Sequence, residues 1–174
     1  MKSCFEHNEV EKAVEIVELL KNGTDIGLVS NAGTPTVSDP GFRVVGEVIK
    51  NGFEVESLPG ANALITALTS SGLSADKVTF LGFLPRKKGK QNKIWQDIYD
   101  SNLAQTVVFY ESPYRLNKTL ANIEGVLGDI EIIVARELTK KFEEVARAKI
   151  SDWLKLDEKL KGELVVLFRK EVEK

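Results

Sequence analysis

Residues 28–41 read LVSNAGTPTVSDPG and concentrate side chains that could hold a small ligand. Ser30, Asn31, Thr34, Ser38 and Asp39 supply short hydrogen-bonding groups. Gly33 and Gly41 allow close backbone approach or positive φ, while Pro35 and Pro40 stiffen the loop. A loop of this kind after a short apolar strand sits where open α/β sheets bind ligands. A polar, well-capped turn would have the same composition, so both readings stay open on these residues alone.

Three further clusters could do chemistry. Residues 85–93 (PRKKGKQNK) gather Arg86, Lys87, Lys88, Lys90 and Lys93, which could dock phosphates; charge runs are more often solvated loops, and composition modestly favours that. Glu111 ends an apolar run (QTVVFYE), and Arg115 follows one helical turn later; the two could form a local ion pair, or line a pocket in which Arg115 grips an anion. Arg136, Glu137, Leu138, Thr139 and Lys140 occupy a similar position after EIIVAR, and two strands ending in such groups favour a shared cleft.

Several chemistries lack support. There is no GxGxxG, no GxxxxGK[ST] and no GxSxG, so dinucleotide binding, P-loop hydrolysis and a serine hydrolase elbow find no motif. His7 is the single histidine and Cys4 the single cysteine, which leaves no metal-ligand cluster and no intrachain disulfide. A net charge of −2 sets up no global basic field, so any nucleic-acid contact must be local. No apolar run approaches the roughly 20 residues that span a bilayer, and a polar N-terminus argues against a signal peptide; a cytoplasmic location is expected.

The elements that must position these groups follow from periodicity. Asn8 is placed to cap a helix with Glu11 as its capping-box partner, and Val10, Ala13, Val14, Val17 and Leu20 form its apolar stripe up to Asn22-Gly23. Strands are predicted at 25–30 (DIGLVS) and 53–58 (FEVESL), around a helix over 41–51. That β-loop-α-β order predicts a parallel sheet. Pro59-Gly60 is the candidate boundary, giving domains 1–58 and 59–174. Beyond it the pattern predicts helices over 62–71, 92–99, 114–127 and 150–156. Strands are predicted at 78–83, 105–111, 131–136 and 162–168, with 85–93 as a basic loop. The fold class is α/β.

SNAGTPTVSDPG, LPGANALITAL, GFLPRKKGK, FYESPYR and ARELTKKFE resemble, in order, the signature blocks of the ribosomal RNA small subunit methyltransferase I family, within the tetrapyrrole methylase superfamily. The resemblance runs from about Phe5 to Phe168. It implies a two-domain tetrapyrrole-methylase-like fold, with S-adenosylmethionine bound between domains, a homodimer, no metal, and methyl transfer to a cytidine ribose 2′-hydroxyl in 16S rRNA of the small ribosomal subunit. Carried over by position, Ala32, Thr34, Val37, Asn62, Ala63, Glu111 and Leu138 would contact the cofactor, and the stretch from Gly162 would close over its adenine. Arg86, Lys87, Lys88 and Lys90 would contact RNA. Glu111, Glu137 and Lys140 are the candidate bases, with Arg115 and Arg136 gripping phosphate. A non-catalytic RNA-binding or dimerisation module, or a methylase acting on tetrapyrroles, is the competing expectation. Two departures bear on activity. Family members begin with a GTPIGN-like strand and loop before the EHNE segment, so the N-terminal domain is expected to be incomplete and activity impaired. The usual SDAGTP reads with Asn31 in place of aspartate, which keeps an acceptor and loses a charge.

Overall fold

The structure is a computed structural model that describes residues 3–5, 7–156 and 160–172. The chain divides into two compact units, Met1–Asn62 and Ala63–Lys174.

The first unit is built on α1 (Glu9–Lys21) and α2 (Phe42–Lys50). Ala13 and Val17 of α1 meet Val44 and Val48 of α2, each pair four residues apart on one helix face. Val10 and Val14, expected in the same stripe, are exposed instead. Asn8 does occupy the N-cap position of α1, but its side chain caps nothing in the helix. Its Oδ1 accepts from the Phe5 amide at 2.8 Å, so the predicted capping box with Glu11 does not form. Asn22 and Gly52 follow their helices as expected, with Gly23 and Gly52 at positive φ.

The two strands predicted in this unit are absent. Residues 25–30 and 53–58 carry no strand, and among the described residues no backbone hydrogen bond ladders them to a neighbour. Alternation makes a segment willing to be a strand, but a strand exists only where a second backbone satisfies its amides and carbonyls. Val29 and Leu58 are accordingly each 75% exposed.

The second unit holds α3 (Ala63–Ser71), β1 (Val78–Phe83), α4 (Lys88–Asp100), β2 (Gln105–Glu111), α5 (Leu116–Leu127), β3 (Glu131–Arg136), β4 (Glu144–Lys149), α6 (Ile150–Trp153) and β5 (Leu164–Lys170). The strands form one sheet in the order β1-β2-β5-β3-β4. β1 and β2 are parallel, joined through α4; β5 lies antiparallel to both β2 and β3. The period of two along the buried strands divides the core cleanly. Val107, Phe109, Ile132, Val134, Leu164, Val166 and Phe168 pack on one face with Trp95, Leu120 and Ile123 of α4 and α5. Val108, Ile133, Ala135, Val165 and Leu167 pack on the other with Ala67 and Leu68 of α3.

Besides end shifts at α6 (Ile150–Trp153 for 150–156) and β5 (Leu164–Lys170 for 162–168), two elements differ from expectation. α4 begins at Lys88, so Lys88 and Lys90 stand on its first turn rather than in the loop predicted over 85–93. Lysine is a good helix former, and its charge had disguised that. β4 (EVARAK) is an additional strand, too rich in alanine and charge to read as one; charged side chains are what a sheet edge carries.

Candidate functional site

The loop between residues 30 and 41 is shaped by its own hydroxyls. Ser30 Oγ lies 2.7 Å from the Gly33 carbonyl and 3.2 Å from that of Ala32. Thr34 Oγ1 donates to the Ala61 carbonyl at 2.9 Å, which brings the AGTPTV stretch against the residues just before Asn62. Gly33 (φ +76) comes so close to that carbonyl that a Cβ would stand 3.3 Å from it. At the far end the Gly41 amide, at the N-cap of α2, donates to the buried carboxylate of Glu9 on α1, and Arg43 Nε lies 3.7 Å from the same carboxylate. Glu9 thus ties the loop's exit to α1, a role no local pattern signals. Thr36 and Ser38 adopt positive φ, which is strained for non-glycine residues. Of the expected ligand contacts here, Thr34 and Val37 are half-buried and Ala32 is exposed, as is the neighbouring Asn31.

In the second unit the expected site residues gather along one sheet edge. β1, β2 and β3 point the same way, since β5 runs antiparallel to both of its neighbours. Their C-terminal ends therefore lie together, and Glu111 and Arg136 both pair with Leu164 at the start of β5. Strand ends of this kind are where α/β sheets bind ligands.

Glu111, Arg115 and Arg136 at this edge are already engaged. Glu111 is 2% exposed and accepts from the Ser112 amide at 2.8 Å and Thr119 Oγ1 at 2.6 Å, with Arg115 Nε at 3.2 Å. Arg115 in turn donates to the carbonyls of Leu84 at 2.8 Å and Pro85 at 3.4 Å. Pro85 also accepts from Gln91 Nε2 at 2.8 Å, and Asn122 Nδ2 donates to Gln91 Oε1 at 2.7 Å. This polar chain clamps the stretch that leads into Arg86, Lys87, Lys88 and Lys90. Those four and Lys93 have no ion-pair partner among the described residues. Arg136 is held by Glu144 across the β3–β4 pair at 2.6 Å.

Glu137 and Lys140 form a latch with Glu163. Glu137 Oε1 accepts from the Glu163 amide at 3.1 Å and from Lys140 Nζ at 3.2 Å, and Lys140 Nζ reaches Glu163 Oε2 at 2.8 Å. Glu137 and Thr139 take positive φ, so the non-glycine residues of that conformation in the described chain all fall in this turn and in the 30–41 loop. The Glu163 amide, then Lys140, hold the Glu137 carboxyl below its ordinary value. Glu163, then Glu137, hold the Lys140 ammonium above its own. A carboxylate made less basic and an ammonium harder to deprotonate are poor proton acceptors at neutral pH. The latch lies beside a cavity of about 350 Å³ lined by Arg136, Glu137, Phe142, Lys161 and Gly162. Leu138 turns instead onto the sheet face that carries Tyr110 and Leu64. Burial holds the Tyr110 phenol above its ordinary value.

The latch has a pH signature. A lowered carboxylate pKa contributes stability that is present above its unfolded value and lost as pH falls through the folded one. A raised ammonium pKa contributes stability lost as pH rises through the folded value. Protection of the Glu163 amide from hydrogen exchange should therefore be greatest around neutrality and collapse in acid, below the ordinary glutamate range. Protection unchanged in acid would show that the latch does not form.

The chain matches the family model described as Tetrapyrrole (Corrin/Porphyrin) Methylases over residues 2–153. It is 44% identical over 167 residues to ribosomal RNA small subunit methyltransferase I of Streptococcus pyogenes serotype M3, covering 95% of this chain and 58% of that protein. The chain thus spans less than two thirds of that relative's length. Among solved structures it is similar to the methyltransferase CobJ, with a TM-score of 0.69 and 19% identity over 91% of this chain and 70% of that one. It is also similar to uroporphyrin-III C-methyl transferase from Thermus thermophilus complexed with S-adenosyl homocysteine, with a TM-score of 0.52 and 18% identity over 90% and 73% of the two chains.

Proposed function

Because the chain belongs to the tetrapyrrole (corrin/porphyrin) methylase family, we propose that it serves methyl transfer from S-adenosylmethionine to a cytidine ribose 2′-hydroxyl of 16S rRNA. The 44% identity to a ribosomal RNA small subunit methyltransferase I is the observation that carries this reading. The cluster of unpaired cations after β1 supports RNA over a tetrapyrrole as the acceptor. We assign the protein to the cytoplasm, and its partners as the small ribosomal subunit and a second copy of the chain.

The residues present fit the cofactor. The cavity beside Gly162 offers the Phe142 ring and the Glu137 carboxylate, with Arg136 and Lys161, as the surface we assign to an adenosine end. By position we assign Ala32, Thr34, Val37 and Asn62 of the first unit, and separately Ala63 and Leu138 of the second, as ligand contacts. S-adenosylmethionine, when bound, supplies a methyl group made electrophilic by its sulfonium. The protein's contribution is then alignment, since displacement at that carbon needs the acceptor oxygen in line with the leaving sulfur. Glu111, Arg115, Arg136, Glu137 and Lys140 serve in this reading as positioning groups. Each is committed to the pairs described above, which makes them supports for the edge rather than bases within it.

The test is paired. Calorimetric titration should show S-adenosylmethionine binding to the chain, and transfer of labelled methyl should go to small ribosomal subunits. K87Q/K88Q should leave cofactor binding intact, weaken rRNA binding, and lower the slope of log K against log salt by roughly 0.7–0.9 per lysine removed. Methyl transfer to a tetrapyrrole with none to rRNA would overturn the substrate. Failure to bind S-adenosylmethionine would overturn the cofactor.

A further inference from the structure

We propose that the end of β1 is a reader of unpaired RNA, in which the exposed face of Phe83 stacks a nucleobase while the cations of 86–93 hold the flanking phosphates. The proposal rests on the RNA reading above and adds which form of RNA the surface takes and which residue selects it.

In a regular strand Phe80 and Phe83, three apart, would point to opposite faces. Here the β1–β2 register slips between them, and Gly82 takes φ +60, so β1 carries a bulge. Bulges re-aim side chains, and this one brings both rings to the same tyrosine. Phe80 meets Tyr110 edge-on at 5.0 Å and Phe83 meets it edge-on at 5.4 Å. Phe83 is nevertheless 63% exposed, so its ring is braced by Tyr110 yet open to solvent. Tyr114, next in the chain to Arg115, is 92% exposed and adds a second open ring beside the residue that grips Leu84.

Phe83 is followed at once by the clamped Leu84-Pro85 carbonyls and then by Arg86, Lys87, Lys88 and Lys90. The ring and the cations are thus fixed to one another by partly buried hydrogen bonds from Arg115 and Gln91. Open aromatic rings beside unneutralised cations are complementary to a strand whose bases are unstacked and whose phosphates are anionic. A duplex keeps its bases inside the stack and offers this ring nothing.

The experiment measures binding of the full chain to a fluorescent single-stranded oligoribonucleotide and to its duplex. The wild type should prefer the single strand. F83L should weaken single-strand binding about fivefold or more, the lower bound for one base–aromatic stack. It should leave duplex binding and the salt slope as they were, and F83W should restore affinity. If F83L binds the single strand as the wild type does while K87Q/K88Q still weakens it, stacking is wrong and the RNA reading stands. Equal loss on single strand and duplex also overturns the proposal. If K87Q/K88Q has no effect on either, the RNA reading falls and takes the proposal with it.

Discussion

Glu111→Gln should destabilise the second unit by about 2 kcal/mol, within what leaving buried hydrogen-bonding groups unsatisfied costs. The carboxylate is 2% exposed and has three donors around it, one charged. Glutamine offers one acceptor oxygen and turns an amide nitrogen toward groups that themselves donate. Arg115, half-buried, is then left without its counter-charge, and its hold on Leu84 and Pro85 slackens. The loss should appear in the urea midpoint, and RNA affinity should fall with it even though Glu111 never meets the RNA. Arg115→Met in the Glu111→Gln background should restore part of the stability, because it removes the orphaned charge, but none of the RNA affinity. A stable Glu111→Gln protein with wild-type RNA binding would show that the clamp is unimportant.

Gly162→Ala should be the most damaging small change near the cavity. Gly162 sits at φ +92, and an added Cβ would lie 2.4 Å from Glu137 Oε1 and 2.5 Å from its Cγ. A flexible carboxylate elsewhere would swing away, but this one is held by the Glu163 amide and Lys140. Strain at such a backbone costs about 1–3 kcal/mol by itself, and opening the latch adds to it. Gly128→Ala is the control: φ is +79 and nothing lies within 4 Å of the added methyl, so only the backbone term remains. Gly162→Ala should lose more stability than Gly128→Ala. S-adenosylmethionine affinity should drop only in the former, by about tenfold for each 1.4 kcal/mol. Glu137→Ala should partly relieve Gly162→Ala by clearing the space. Equal effects of the two glycine substitutions would show that the latch does not hold Glu137 in place.

What the sequence made legible was local. The buried runs VVF, IIVA and VVLF identify β2, β3 and β5 because burial on both faces leaves a continuous apolar signature. The charges that end β2 and β3 follow from the same runs, and the basic cluster is plain from composition. What stayed hidden depends on distant partners. Residues 25–30 and 53–58 alternate as strands do, yet alternation carries no information about whether a neighbour is present. Glu9 meets Gly41 from 32 positions away, and Glu137 meets Glu163 from 26. Neither spacing repeats anything a period could detect. The slip at Gly82 is equally silent, since a glycine within a strand marks a possible bulge but not where its neighbour will aim. The Glu111–Arg115 spacing predicts a pair, but only the structure adds the Thr119 and Ser112 donors and the tie from Arg115 to Leu84.

The position of β5 has a consequence for how the chain must assemble. It comes last in the sequence, yet lies third in the sheet, between β2 and β3. During synthesis β1–β2 and β3–β4 can pair as two separate halves, each leaving an open edge of buried-type residues such as Val108 and Ile133. Only when residues 164–170 have left the ribosome can the two edges close on a common strand. Long-range closure of this kind is slow and leaves sticky edges waiting. The inner edges of β2 and β3 thus stay open until residues 164–170 are made, and the core of the second unit closes in a single late event rather than strand by strand.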